Sequence, residues 1–447
     1  MKSPSTITRR RVLQGAALGA AALALPRSAS AARPSGVVTL EFWNPAVDPV
    51  GKKVIAKLAD QFNGTVGKAK GILVQNRPIA DDNNAAKYTT AMTSSGSPDV
   101  VMTYSYDYLA PWAANGFIRP VDSYFSTTGM AENDLLPVVK DSVQLAGHTW
   151  GLLQEFDFAQ LFWNKRLHTG ALPTTLDELD ALAKRYTVFD KHGNLTQAGL
   201  IPWSNKTFDP YTTGVALFGG SFYNQSTGKW TITTPQNLKL FQWYAKYADI
   251  LGGRSKADAL ENSVPSTYGD SWLYGKAVFG FEGEWIPAQI TQLNLKLSYG
   301  IGHPPTAPGV PAGSIASLGG NLFLLPTKSQ HPAEAAAFIE YMGSAKGSAE
   351  WCILNSNMPP VKSALFAPSF LKALPGMASF IDALKINHVT SSIASPQYSV
   401  FADALALAVQ EVSLRKSTPA QALSSIDSKV SSAVQQFQQF HPNWPSQ

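Results

Sequence analysis

Apolar and polar positions alternate with two different periods along the chain after residue 36. Residues 36–44 (GVVTLEFWN) are almost continuously apolar or β-branched, which predicts a buried strand. Every fourth residue from Val50 to Phe62 is apolar, which predicts an amphipathic helix. The runs GILVQN, SPDVVMTYS and NLFLLP predict further strands. Strands separated by helices are typical of an α/β fold, in which helices cover both faces of parallel sheets.

Local signals mark where some of these helices begin. Thr175 and Glu178 have the spacing of a capping box, and an apolar stripe that includes Leu176 and Leu179 follows. Pro332 lies in the predicted first turn of a later helix, HPAEAAAFIEYMGS. Because ligands of open α/β sheets bind beyond the carboxyl ends of the strands, the residues that follow each strand are candidate site residues.

The first 31 residues have the features of an export signal. Thr8-Arg9-Arg10-Arg11-Val12-Leu13 fits the twin-arginine pattern, and the apolar run from Val12 to Leu25 is shorter than the roughly 20 residues that span a bilayer. Ala29-Ser30-Ala31 supplies a small-x-small cleavage site. We therefore predict a twin-arginine signal peptide over residues 1–31. The alternative is an N-terminal membrane anchor or a buried helix.

Charge and cysteine content describe the chain that follows the signal. The formal charge of +5 comes from the leader, since 36 basic residues less its five leave 31, equal to the 31 acidic residues. A neutral mature chain gives no support for nucleic acid as a partner. Cys352 is the single cysteine, so neither a disulfide nor a lipid anchor on a cysteine after the cleavage site is expected. We predict an exported protein at the periplasmic or extracellular face of the membrane.

The motifs of common enzymes are missing from the sequence. There is no G-x-S-x-G, no H-E-x-x-H and no glycine-rich phosphate loop, and the seven histidines have no metal-ligand spacing. We expect no catalytic residues, no metal and no cofactor. Paired carboxylates of a glycoside hydrolase stay an open alternative, because their separation is a property of the fold.

Aromatic residues stand beside Gly, Asp or Asn where several strands are predicted to end. Aromatic rings stack on the apolar face of a sugar, while Asp, Asn and Glu bind its hydroxyl groups. Any one such aromatic is more often a core or loop anchor, so the set carries more information than its members. The pattern favours a carbohydrate ligand.

Several segments in order resemble the family 1 extracellular solute-binding proteins of ABC importers, the sugar-binding group. The segments TWGLLQEFDFAQLFWNKRLHTGALPTTLDEL, SSGSPDVVMT, YGKAVFGFEGEW and LGGNLFLLPTKSQHPAEAAAFIEYM match that family's motifs over roughly residues 37–440. The chain departs from the pattern at Leu153, where the family often has Pro, and at Leu176, where it has Trp.

The resemblance implies a two-lobed periplasmic-binding-protein fold, type II-like, that closes on a ligand between its lobes. Lobe one is expected over residues 37–153 plus 299–328, and lobe two over residues 154–298 plus 329–447. About 415 mature residues exceed what one hydrophobic core usually serves, which independently predicts two domains. The implied partners are a small-molecule carbohydrate and the permease subunits of an ABC transporter, and we expect a monomer.

The resemblance also implies ligand-binding residues. Trp285 matches the family's stacking tryptophan, and Asp107 and Asp157 match positions of polar cleft residues. The full set of expected ligand-binding residues is Trp43, Asn44, Tyr106, Asp107, Asp157, Trp203, Asp209, Tyr211, Trp285, Gly319, Gly320, Asn321 and Tyr398.

Three alternatives to a sugar importer stay open from the sequence. The same fold serves other solutes, such as a polyol, a polyamine or a metal complex, although no Arg/Lys cluster near the cleft motifs suggests an anionic one. A secreted carbohydrate-acting enzyme is the second alternative. A binding module for adhesion or sensing is the third.

Overall fold

A computed structural model of the chain describes residues 36–46, 49–79, 85–104, 106–124, 134–204, 214–265, 271–385, 389–442 and 444. The predicted signal peptide lies outside these residues and stays a prediction. Within them, no helix combines the length and the apolar character needed to cross a membrane.

The first sheet contains six strands. They are β1 (Val38–Asn44), β2 (Ile72–Pro78), β3 (Val100–Thr103), β4 (Ile118–Arg119), β5 (Gly151–Leu153) and β10 (Leu322–Pro326). β1 lies between β2 and β3 and is parallel to both. β10 is antiparallel to β3, β4 and β5, so a strand from late in the chain joins the early ones.

The second sheet contains five strands. They are β6 (Asp157–Asn164), β7 (Phe279–Gly283), β8 (Tyr299–Gly302), β9 (Ile315–Gly319) and β11 (Val389–Thr390). β6 is the central strand and is antiparallel to β7, β8 and β9. Among these five strands, only β9 and β11 pair in parallel. The prediction of parallel sheets is therefore wrong for most of this sheet, because β6 pairs with strands that return to it after long insertions rather than through simple strand–helix–strand crossovers.

Helices cover both sheets. They are α1 (Pro49–Phe62), α2 (Ala85–Thr93), α3 (Leu109–Ala114), α4 (Pro137–Val143), α5 (Leu176–Tyr186), α6 (Pro235–Ile250), α7 (Arg254–Glu261), α8 (Ile286–Gln292), α9 (Pro332–Gly343), α10 (Ala345–Asn355), α11 (Lys362–Leu365), α12 (Pro368–Ala373), α13 (Ala378–Lys385), α14 (Tyr398–Ser413) and α15 (Pro419–Phe440). α1 continues through a π-helical turn (Asn63–Gly67) and one more turn (Lys68–Lys70).

The predicted local signals are confirmed where the structure describes them. Val54, Leu58 and Phe62 are buried on one face of α1. Thr175 and Glu178 form the predicted capping box of α5, with each residue bonding to the other's backbone. The apolar periodicity and the caps therefore place the early helices without help from distant residues.

Two segments connect the sheets side by side. Gln154, Glu155 and Phe156 lead from β5 in the first sheet to β6 in the second, while Gly320 and Asn321 lead from β9 back to β10. The backbone N–H of Gln154 donates to the carbonyl of Asn321 at 2.8 Å. The two crossings are therefore hydrogen-bonded to each other.

Strand pairing and helix packing differ from the predicted lobe boundaries. β8 and β9, within residues 299–319, pair in the second sheet. α9 packs against β10 and α1, and α10 also contacts α1, so residues 332–355 lie with the first sheet. The chain returns to the second sheet by α13, whose Phe380 packs against Phe158 and Phe162.

The close crossing of the two segments predicts a strong effect of Gly320→Ala. A Cβ at Gly320 would lie 2.1 Å from the carbonyl oxygen of Glu155, so the crossing segments would have to move apart. We expect a loss of about 2–4 kcal/mol in unfolding free energy, measured by urea denaturation. Gly64→Ala is the matched control, because nothing lies within 4 Å of the Cβ that alanine adds there, and it should change the unfolding free energy by less than about 1 kcal/mol. Equal effects of the two substitutions would contradict this account.

Candidate functional site

The crossing segments bring several predicted site residues together. Gly319 pairs with Asp157 across β9 and β6, and Asn321 lies two residues further on. A Cβ at Gly319, whose φ is +96°, would lie 2.6 Å from Cβ of Tyr106, so Tyr106 packs directly on this glycine. Tyr106 comes from the short 3-10 turn after β3, and Asp157 begins β6. Residues from both sheets thus meet at the crossing.

The side chain of Glu155 hydrogen-bonds one crossing segment to the other. Its side chain is only 3% exposed. Oε1 accepts from the backbone N–H of Asn321 at 3.0 Å, Oε2 accepts from Nδ2 of Asn321 at 2.9 Å, and Oε2 also accepts from the indole of Trp351. Burial and then the charge of Asp157 raise the pKa of Glu155 well above its usual range.

Two further carboxyl groups lie beside Glu155. Glu284 follows β7 and is fully buried, whereas Asp157 is half-buried. Nδ2 of Asn357 lies 3.4 Å from Oδ1 of Asp157 and 3.4 Å from Oε1 of Glu284. Burial is the largest cause that raises the pKa of both acids, and the charge of Asp157 adds to the shift of Glu284. The site therefore combines three acids with amide donors.

Trp285 stands next to this acidic cluster. It is half-buried and directly precedes α8. A Cβ at Gly283 would lie 2.1 Å from Cζ3 of Trp285, so the indole lies over a position that only glycine fits. Since Gly283 pairs with Ala159 on β6, the indole lies near the Asp157 end of that strand.

Trp43 and Asn44 end β1 on the first sheet. Trp43 is half-buried, its Nε1 donates to Glu41 at 2.6 Å, and its ring packs edge-on against Tyr88. Asn44 is fully buried, and its side chain donates to Asn76 and accepts from the N–H of Ala46. Its hydrogen bonds thus serve the end of the strand in this conformation, and its contact with a ligand stays a prediction.

Two further predicted residues, Trp203 and Tyr398, have described ring contacts with other parts of the chain. Trp203 is 2% exposed, and the guanidinium carbon of Arg254 lies over its ring, 5.5 Å from the ring centroid of Trp203. Tyr398 is half-buried at the start of α14 and packs against Phe401. Asp209 and Tyr211 lie outside the described residues, as does the side chain of Asp107.

Sequence reasoning missed three residues of the acidic cluster. Glu284 lies in the matched segment beside Trp285, but the family pattern points to the tryptophan alone. Glu155 lies two residues before Asp157 with no pattern of its own. Asn357 is about 200 residues from Asp157 along the chain, so no local signal indicates it.

The chemistry of the cluster suits binding of a polyhydroxylated ligand. The contacts of Glu155, Asp157 and Glu284 are with amides, an indole and one another, which provide hydrogen-bond acceptors and donors. Within the described ranges, no group of three or more His, Cys, Asp or Glu residues is arranged to hold a metal ion. Two α/β units joined by crossing strands, with this cluster at the crossing, are the features of a two-lobed binding protein.

Comparison with known proteins gives the family. The sequence profile of the bacterial extracellular solute-binding proteins matches residues 57–379, and the chain belongs to this family. It is 23% identical over 435 residues to a probable ABC transporter-binding protein of Deinococcus radiodurans, covering 92% of this chain and 97% of that one.

Solved structures confirm the two-lobed α/β fold. CpMnBP1 with mannotriose bound has a TM-score of 0.76 and 25% sequence identity, covering 88% of this chain and 100% of the other. The maltose/maltodextrin-binding domain MalE from Bdellovibrio bacteriovorus, bound to maltotriose, has a TM-score of 0.68 and 19% identity, covering 89% of this chain and 100% of the other.

The buried acids predict an unusual pH dependence of stability. Because the pKa of Glu155 is raised on folding, the folded chain binds more protons than the unfolded chain above the ordinary glutamate pKa. The stabilisation is thus complete below that ordinary pKa and is lost as pH rises toward the folded value. We expect the unfolding free energy from urea titrations to fall as pH rises above the ordinary glutamate pKa, by up to roughly 1.4 kcal/mol per pH unit for each extra proton.

Glu155→Gln should reduce this slope by the share of Glu155, while Glu284 and Asp157 still contribute, and it also weakens the bond from Trp351. Glu350→Gln is the control, because Lys57 lowers the pKa of Glu350 and its contribution changes only at more acidic pH. If the slope of unfolding free energy against pH is the same in Glu155→Gln as in the wild type, the pKa of Glu155 is not raised on folding.

Proposed function

We propose that the chain is the extracytoplasmic binding component of an ABC importer that takes up an oligosaccharide. The observation that supports the proposal is the pairing of Gly319 with Asp157 and the packing of Tyr106 on Gly319 at the crossing, with Trp285 next to Glu284 along the chain. An aromatic ring for the apolar face of a sugar lies there beside acids that bind its hydroxyl groups. The relatives support the sugar class, since they bind mannotriose, mannobiose and maltotriose.

The proposed mechanism is ligand-driven closure. The crossing segments form the hinge, and each lobe carries one of the two sheets with its helices. From the pairing and packing, we propose that lobe one holds residues 38–153 and 321–355, and that lobe two holds residues 157–319 and 378–442. A sugar stabilises the closed form because it contacts both lobes at once, and the permease recognises that form.

Delivery to the permease requires the protein to work outside the cytoplasm. The family is extracellular, and residues 1–31 supply the proposed twin-arginine signal. That route exports folded proteins, which suits a chain whose two lobes are built from interleaved segments.

The first alternative keeps the fold and the importer function and replaces the oligosaccharide with a polyamine or another small solute. Enzymatic activity receives no support from the family, whose members are named as solute-binding proteins. Adhesion or sensing without transport would use the same closure, and the relative named as an ABC transporter-binding protein favours import.

A ligand panel tests the proposal directly. Thermal unfolding of the purified protein is measured with mannobiose, mannotriose, maltotriose, monosaccharides, polyols, polyamines, amino acids and metal ions. A ligand at about a hundred times its Kd adds about 2.7 kcal/mol to the folded state, which raises the Tm by a few degrees. We expect shifts with one class of oligosaccharide. A Tm shift with polyamines alone, or the absence of a shift with every sugar, would contradict the assignment of a sugar ligand.

Trp285→Ala should weaken binding of the ligand found in that panel by roughly thirtyfold or more. Removal of a central stacking tryptophan typically costs about 2–4 kcal/mol of binding free energy. Trp163→Ala is the matched control, because Trp163 is also half-buried but lies six residues from Asp157 along β6, about 20 Å away. Isothermal titration calorimetry of both variants checks this. Equal affinities of the two variants would remove Trp285 from the site.

A further inference from the structure

Nδ2 of Asn357 lies 3.4 Å from a carboxyl oxygen of Asp157 and 3.4 Å from one of Glu284, so the two carboxyl groups are close enough to interact with each other. They come from neighbouring strands, since Asp157 begins β6 and Glu284 follows the end of β7, which pairs with β6. An ionised carboxylate has only acceptors, so a hydrogen bond between two carboxyl groups requires a proton on one of them. Two ionised carboxylates buried side by side repel each other, so the state in which one of the two acids is neutral is favoured.

Burial indicates which acid carries the proton. Glu284 is 0% exposed, whereas Asp157 is half-buried and belongs to the site that meets the ligand. The charged form of an acid is disfavoured more strongly the less water reaches it. Glu284 is thus the donor and Asp157 the acceptor.

The groups around the pair reinforce this arrangement. Nδ2 of Asn357 lies 3.4 Å from an oxygen of each carboxyl group. The charge of Glu155 further disfavours ionised Glu284, and all three acids raise the pKa of the buried Cys352 thiol. The described interactions of the pair include no cation, so a proton is what limits the negative charge here.

We propose that Glu284 is a positioning residue which holds a proton and donates it in a hydrogen bond to Asp157, so that ligand affinity depends on pH. The inference rests on the proposed function, in which Asp157 accepts from ligand hydroxyl groups. Closure over a ligand removes water from the pair and makes a doubly charged state less favourable than in the open form. The closed form therefore retains the proton more strongly, and affinity falls as pH rises through the range in which free Glu284 ionises.

Calorimetry across pH tests the proposal with three variants. The ligand is the sugar with the largest shift in the panel, or mannotriose if none shifts. We expect the wild-type affinity to fall about tenfold as pH rises above the ordinary glutamate range, which corresponds to one pKa unit of difference between free and bound protein. Glu284→Gln should bind more tightly than Glu284→Leu and show a flat profile, because its carboxamide donates at every pH. Glu411→Gln, a half-exposed glutamate on α14, should follow the wild type.

Two calorimetric results would overturn the proposal, namely a flat wild-type profile or a Glu284→Gln profile that equals the wild-type one. If Glu284→Leu fails to fold, the comparison of wild type with Glu284→Gln still decides. Carbon-13 NMR of the side-chain carboxyl groups, assigned with Glu284→Gln, gives a second readout in the ligand-free protein. Titration of Glu284 in the ordinary glutamate range would overturn the proposal even if sugars bind. A raised titration without sugar binding at any pH would confirm the protonated donor and refute the sugar-binding function.

Discussion

The hydrogen bonds between Glu155 and Asn321 constrain the rest of the molecule. They join two chain segments that run in opposite directions between the sheets, and they use both the backbone and the side chain of Asn321. Gly320 allows the close approach, because its missing side chain leaves room for the carbonyl of Glu155. One crossing joins β5 of the first sheet to β6 of the second, and the other joins β9 of the second sheet to β10 of the first. Each sheet therefore contains strands that the chain reaches only through these crossings.

The same constraint determines what lies at the site. Because the two crossings are hydrogen-bonded to each other, the start of β6 lies next to the end of β9. Glu284 and Trp285 lie near them, at the end of β7, which pairs with β6. Three acids are held at this place with amides and an indole as donors. Burial of several uncompensated charges is strongly unfavourable, so such a cluster is stable only when some of the acids carry protons. Raised pKa values are thus a consequence of the crossing itself.

Part of the candidate site is indicated by the sequence, because the matched segments contain Trp285, Asp157 and Gly319. The neighbourhood of these residues is not predictable in the same way. Asn357 reaches Asp157 from about 200 residues away, and Trp351 reaches Glu155 from a similar distance. The hydrogen bonds of Asn44 are likewise set by the fold, because its side chain bonds to Asn76 on the neighbouring strand and to the N–H of Ala46.

The sequence by itself determined the elements that depend on neighbours along the chain. The periodic apolar face of α1, the capping box of α5 and the buried strand β1 follow from residues only a few positions apart. Strand pairing was decided by the tertiary structure, because β6 is antiparallel to partners far from it in sequence and nothing in a single strand specifies its partner. Protonation at the site was decided there too, since the pKa of an acid depends on its surroundings, and these come from four distant segments.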